Sequence, residues 1–418
     1  VVAIGSLSID MALPSLPATA EALGAAPATV QLTVTLFLAA FALAQLIHGP
    51  LSDRLGRRRV LLGGLAVYLI GGLACWAAPS VQLLVLGRLL QALGAGSGPV
   101  VGRAVIRDLY EPEPAARVLG YMGTAMALTP ILAPILGGVI HVALGWRAVY
   151  LALAAFGALF LGVSTVLVPE TNRRRDPDAL RPGHLATNAA DLLGDRSFLG
   201  YVLVVALMFG GQFAFITGSA FVLIEVLAVA PDVYGLCFGL VALGLMTGSF
   251  LAAQLTRRVG IDRLIAAATS LGAVAGGVMA ALAWRGVWTV PAVIGPMVAF
   301  AVGVGVVLPT AVAGAIGPFP RTAGLASAVL GFLQLTAAAA YGIGVSRLYD
   351  GTPVPMAVAI AAAGLAAAVA HRVVRIPAPR VASNGRRTAI DRLRPPVLAS
   401  PSLPVRPPDR WRTIGRAR

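Results

Sequence analysis

Two charged residues stand inside apolar stretches, where charge is costly. Asp10 lies in the first apolar run, seven residues before Pro17. Arg88 lies in a second run that reads Leu84-x3-Arg88-x2-Gln91-x2-Gly94. An acid in hydrocarbon usually faces a cavity or a partner. Desolvation disfavours its charged form, so Asp10 is a candidate for reversible protonation. The alternative is a hydrated acid near a helix end, because seven helical residues cover only about 10 Å. Arg keeps its proton. Arg88 can therefore hold water, pair with an acid, or alter the proton affinity of a nearby acid. A structural Arg bonded to backbone carbonyls is the alternative. Met11, Gln91, Met122, Met126, Gln212, Phe213, Phe215 and Gln334 are candidate substrate contacts. Met and Phe offer adaptable apolar surface to mixed ligands, although such a residue is more often core or lipid-facing.

Other chemistries find no support. There is no GxxxxGK[ST] phosphate loop, HExxH or Ser/His/Asp pattern, so neither ATP drive nor an enzyme is expected. Cys75 and Cys237 fall in apolar runs without a CxxC partner, so no metal or cofactor site is expected and both read as small buried residues. His48 and His371 sit at helix ends, and Glu225 reads as interfacial.

The elements that position these residues are membrane helices. The 418 residues are 58% hydrophobic and 12% charged, against about 25% charged in a soluble domain. So little charge cannot cover a soluble surface. Spans of about 20 residues are predicted at 1–16, 29–48, 60–78, 81–102, 117–140, 148–168, 198–223, 234–255, 264–284, 288–316, 323–346 and 354–374. The first reads as truncated. The net charge of +15 comes from Arg alone on the basic side. With the loop after helix 1 external, the odd loops carry three Arg and the even loops sixteen. Positive loops stay inside, which predicts twelve spans with both termini cytoplasmic.

The chain also repeats. Leu51-Ser52-Asp53-Arg54-Leu55-Gly56-Arg57-Arg58-Arg59 follows helix 2, and Leu255-Thr256-Arg257-Arg258-Val259-Gly260-Ile261-Asp262-Arg263 follows helix 8, 204 residues later. This predicts two six-helix bundles, 1–168 and 197–375, joined by a cytoplasmic linker at 169–196. Such parallel repeats place a substrate site between the halves near the midplane. Residues 376–418, with ten Arg and eight Pro, read as a disordered cytoplasmic tail. Its one aromatic, Trp411, is too little for base stacking, so lipid rather than nucleic acid is the expected contact.

Gly49-Pro50-Leu51-Ser52-Asp53-Arg54-Leu55-Gly56-Arg57-Arg58 resembles the loop 2–3 signature of the major facilitator superfamily. Ser8-Ile9-Asp10-Met11, Arg103 through Tyr110, Gly145-Trp146-Arg147, Pro169-Glu170-Thr171 and Gly331-Phe332-Leu333-Gln334 look like its bicyclomycin-resistance/chloramphenicol-efflux (Bcr/CflA) branch. The resemblance covers roughly residues 1–375. It implies a major facilitator fold of two pseudo-symmetric halves and a proton-driven inner-membrane exporter of small drugs, working as a monomer. It also implies proton coupling through Asp10 and Arg88. Gly49, Asp53, Arg54, Gly56, Arg57 and Arg58 would form a gating loop, with Arg103, Arg107 and Asp108 as partners on the next cytoplasmic loop. Gly123, Pro130, Pro134, Gly137 and Gly138 resemble the helix 5 antiporter motif, with Thr129-Pro130 in place of its usual Gly-Pro pair. The competing readings are a metabolite transporter on the same fold and a transport-inactive receptor or scaffold.

Overall fold

The structure, a computed structural model, describes residues 1–110, 112–172, 192–319 and 323–373. The 376–418 tail and most of the 169–196 linker lie outside the described residues.

The first rod is broken. α1 (Ile4–Asp10) leads through a 3-10 turn at Leu13–Ser15 into α2 (Leu16–Ala22). Pro14 and Pro17 stand at the starts of the second and third pieces, where a missing N–H costs least. This rod runs six residues beyond the expected end at 16. α3 (Pro27–Leu55), α4 (Arg57–Trp76), α5 (Val81–Ala95) and α6 (Ser97–Leu109) follow. The expected helix at 81–102 is therefore two segments meeting at Gly96, and it continues to Leu109. α7 (Pro112–Leu144) and α8 (Trp146–Leu167) complete the first half.

In the second half α9 (Arg196–Ala220) passes into a π-helical turn at Phe221–Val226. α10 (Pro231–Val259), α11 (Ile261–Trp284), α12 (Val290–Ile316), α13 (Ala323–Leu348) and α14 (Val354–Val373) follow. Among the described residues ten helices, of 20 to 31 residues, are long and apolar enough to cross a bilayer. With α7, apolar over Leu128–Leu144, and the broken first rod, the described chain makes twelve rods. Phe250 is 63% and Leu365 61% exposed, as expected for side chains that face lipid.

Within each half the rods pack in matching pairs: α4 on α8 and α3 on α5, then α11 on α14 and α10 on α12. Between the halves α7 packs on α10, and α3 on α13. These are the two crossings that a pseudo-twofold exchange of the halves interconverts. Both are close toward the Arg-poor end of the rods. A Cβ on Gly235 of α10 would stand 2.7 Å from Ile135 Cα of α7, and one on Gly342 of α13 would stand 2.6 Å from Thr35 Oγ1 of α3. Small residues let backbones approach where apolar lipid supplies no hydrophobic drive. At the Arg-rich end α6 packs against α3, α4 and α7 of its own half.

Candidate functional site

α1 presents Ser8 and Asp10 to opposite sides, because two helical residues differ by about 200°. Ser8 faces its own half. Its hydroxyl lies 2.7 Å from the Tyr68 hydroxyl of α4, and its carbonyl accepts from Arg88 Nη1 at 3.0 Å. Arg88 is fully buried, and Nη1 also donates to Gln91 Oε1 at 2.7 Å. Its guanidinium carbon sits 4.3 Å over the Phe37 ring and 5.9 Å from the Tyr150 ring. An effective desolvation penalty of several kcal/mol is only partly offset by two charged hydrogen bonds of about 1.5–3 kcal/mol each and a buried cation–π contact of about 2 kcal/mol, because Nε and Nη2 have no partner among the described residues.

Asp10 faces the other half. It is the last residue of α1 and is buried at 5% exposure. Across the seam it lies within electrostatic reach of Tyr234 on α10, whose hydroxyl is 2.9 Å from Ser219 Oγ on α9. Among the described residues no ion pair involves Asp10; the two ion pairs present both use Arg57. The structure thus does not join Arg88 to Asp10. Arg88 holds the backbone of α1 two residues away, and Asp10 points to the opposite half.

The α7 motif closes on both. A Cβ on Gly137 would collide with the Met11 carbonyl, and one on Gly138 with the Pro231 carbonyl at the start of α10. Gly137 therefore seats the Asp10 segment while its neighbour seats the second half. Pro130 and Pro134 lie inside α7 upstream of these contacts, each removing an intrahelical hydrogen bond. Gly123 is on α7 but outside the residues whose surroundings are described.

At the Arg-rich end the expected gating loop is mostly helix. Gly49, Asp53 and Arg54 belong to α3, and Arg57 and Arg58 to α4. Gly56 alone makes the turn, at φ 107°. A single residue at positive φ reverses the chain, so both helices can run right up to it. Arg103, Arg107 and Asp108 likewise lie on α6 rather than on a loop. The side chain of Arg107 is outside the described residues. Arg57 is the hub. It pairs with Asp53, donates through Nε to Asp108 at 3.1 Å and through Nη1 to Ser52 Oγ at 2.6 Å. Its backbone N–H donates to Glu170 Oε1 at 2.9 Å. Thr171 Oγ1 donates to Asp108 at 3.0 Å, and Asn172 Nδ2 to the Asp53 carbonyl at 2.8 Å. Arg58 Nη2 reaches the Thr165 carbonyl of α8 at 2.7 Å.

The expected cavity residues do not converge. Met11, Gln91 and Phe215 are fully buried, with Phe215 packed on Phe238 at 5.8 Å between ring centres. Gln212 and Phe213 are also buried; Met122 and Gln334 are half-buried, and Met126 is exposed. A cavity of about 580 Å³ opens instead at the Arg-poor end, between Glu21, His141 and Glu225, and none of the eight lines it. Apolar residues of one helix face serve packing as readily as a cavity, so residue type alone does not place them. Sequence reasoning also missed Tyr68, Tyr150 and Tyr234. A hydroxyl inside an apolar run was the available signal, but their partners lie on other rods.

With this geometry established, the family comparison is decisive: the major facilitator superfamily profile matches residues 1–345. The chain belongs to the major facilitator superfamily. Within it, this transporter is similar to a bicyclomycin resistance protein homolog of Haemophilus influenzae, with 30% identity over 83% of this chain and 87% of that one. It is similar to multidrug resistance protein D of Escherichia coli, with 30% identity over 80% and 83%. It is also similar to the uncharacterized MFS-type transporter YdgK of Bacillus subtilis, with 31% identity over 79% and 83%. These relatives bear out the resemblance to the Bcr/CflA branch and make the chain a multi-pass membrane transporter of small molecules, not an enzyme. Its fold matches a D-xylose–proton symporter (TM-score 0.68, 16% identity, 89% and 95% covered). A bacterial homolog of the human lysosomal transporter Spinster, in an inward-facing state, matches equally (TM-score 0.68, 15% identity, 90% and 95% covered).

Proposed function

We propose that this major facilitator exports small hydrophobic or amphiphilic drugs across the bacterial inner membrane in exchange for protons, by alternating access. The observation that carries the reading is Asp10, an acid buried at the seam between the halves with no basic partner among the described residues. A carboxyl with no counter-ion can trade its charge for a proton when its surroundings change. The drug-resistance names of its relatives support the choice of substrate. The proton gradient supplies the drive, without a bound cofactor. Arg88 contributes by holding α1 at Ser8, so that Asp10 keeps its aim at the second half. The Asp53–Arg57–Asp108 cluster acts as a gating element. The protein works as a monomer in lipid, with its Arg-rich end, the 169–196 linker and both termini in the cytoplasm.

The test is pH-driven drug efflux in energised vesicles, with substrates chosen from a susceptibility panel in an efflux-deficient host. Asp10→Asn should abolish gradient-driven efflux while ligand binding persists and loses its pH dependence. Arg88→Ala should impair coupling. Full pH-driven efflux by Asp10→Asn at normal expression would remove Asp10 as the proton carrier. Reporters fused after residues 59, 185 and 380 should read cytoplasmic and one after residue 24 external; a tail read as external would overturn the orientation.

A further inference from the structure

The buried guanidinium of Arg88 has more donors than partners. Nη1 is used twice, on the Ser8 carbonyl and on Gln91 Oε1. Nε and Nη2 are buried and have no hydrogen-bond partner among the described residues. The Phe37 ring covers the face of the guanidinium, but a π face cannot accept its in-plane N–H groups. The Tyr150 hydroxyl, on the other aromatic wall, is likewise buried and without a partner among the described residues. Arg88, Tyr150 and Phe37 are all 0% exposed. No carboxylate lies within ion-pair distance of Arg88 among the described residues.

These observations select a ligand chemistry. Buried donors are satisfied in native proteins, and a buried charge is compensated. Three open donors around a permanent cation call for an acceptor carrying negative charge. A water molecule could accept from them but would leave the charge uncompensated. Full enclosure by aromatic walls restricts the guest to a few atoms. A multivalent anion would have to shed far more hydration than one guanidinium restores. We infer that Arg88 Nε, Arg88 Nη2 and the Tyr150 hydroxyl form a closed site within the first half for a small monovalent anion of halide size. Its occupant would stiffen the contact between α1, α5 and α8 that orients Asp10. The site stands whether or not Asp10 carries protons.

The test uses the purified full chain in detergent, in chloride-free gluconate buffer, with bromide or chloride replacing gluconate at constant ionic strength. The thermal unfolding midpoint should stay flat below the dissociation constant and then rise with the logarithm of halide concentration, by about 3 °C at about a hundred times that constant. Tyr150→Phe keeps the ring and removes one donor, so the halide concentration at which its rise begins should be about tenfold higher. Arg88→Gln should lose the halide-dependent rise altogether. Should Arg88→Gln fail to fold, Tyr150→Phe decides alone. A wild-type midpoint indifferent to halide, or an unchanged halide dependence in Tyr150→Phe, would overturn the site and leave water as the partner.

Discussion

At the Arg-rich end both halves make the same turn with different chemistry around it. Gly56 joins α3 to α4 at φ 107° and Gly260 joins α10 to α11 at φ 87°. Each glycine N–H donates to the carbonyl four residues earlier, Ser52 or Thr256, at 3.1 Å. Beyond the backbone they diverge. A Cβ on Gly56 would collide with the Glu170 carboxylate, whereas one on Gly260 would meet nothing within 4 Å. Arg57 gathers Asp53, Asp108 and Ser52, but the matching position in the second half is Ile261, and Asp53 is matched by Arg257. The next position changes both sign and partner: Arg58 reaches α8, the last rod of its half, while its counterpart Asp262 accepts from Tyr201 of α9, the first rod of the second half, at 3.0 Å. The repeated backbone therefore sets topology in both halves, and the clustered charges make only the first turn a candidate gate.

Three substitutions test this contrast, taken from the largest expected effect down. Gly56→Ala should destabilise more than Gly260→Ala in thermal unfolding in detergent. Both incur about 1–3 kcal/mol, because positive φ with ψ of about 150° is a region essentially reserved for glycine; the first also displaces Glu170 from the start of α4. Equal losses would mean that the Glu170 contact carries no weight. Next, Asp53→Asn should slow transport severalfold with ligand affinity within a few-fold, because its cluster sits at the Arg-rich end of α3, far from the midplane. Arg257→Ala, its counterpart, should leave the rate unchanged. Normal conformational exchange with lost binding in Asp53→Asn would break the assignment. Smallest is Glu170→Gln, which removes the carboxylate from the first turn of α4. Loss of such a capping charge costs about 1 kcal/mol. The Asp53–Arg57 pair should persist, since Asp53 is 46% exposed and Arg57 keeps its other partners. A loss of stability as large as that of Gly56→Ala would show that Glu170 organises the whole cluster.

Some of this molecule could be read without its structure. Hydropathy and the asymmetry of Arg along the chain specified about twelve rods and the repeat, because a bilayer imposes length and polarity on each rod separately. Asp10, Arg88 and the residues of the charged turn were legible for the same reason: a charge in an apolar run or a Gly between charges is visible locally. The ends of the rods were less so. Pro50 falls inside α3, and the run of Arg beyond Gly56 reads as loop, although backbone hydrogen bonding carries both helices to the turn. What tertiary structure alone decided is which side chains meet. Ser8 and Asp10 are two residues apart and serve opposite halves; Arg57 and Glu170 are 113 residues apart and touch. Helical rotation sets a residue's direction on its own rod, but only the packing of rods against one another determines what stands there to receive it.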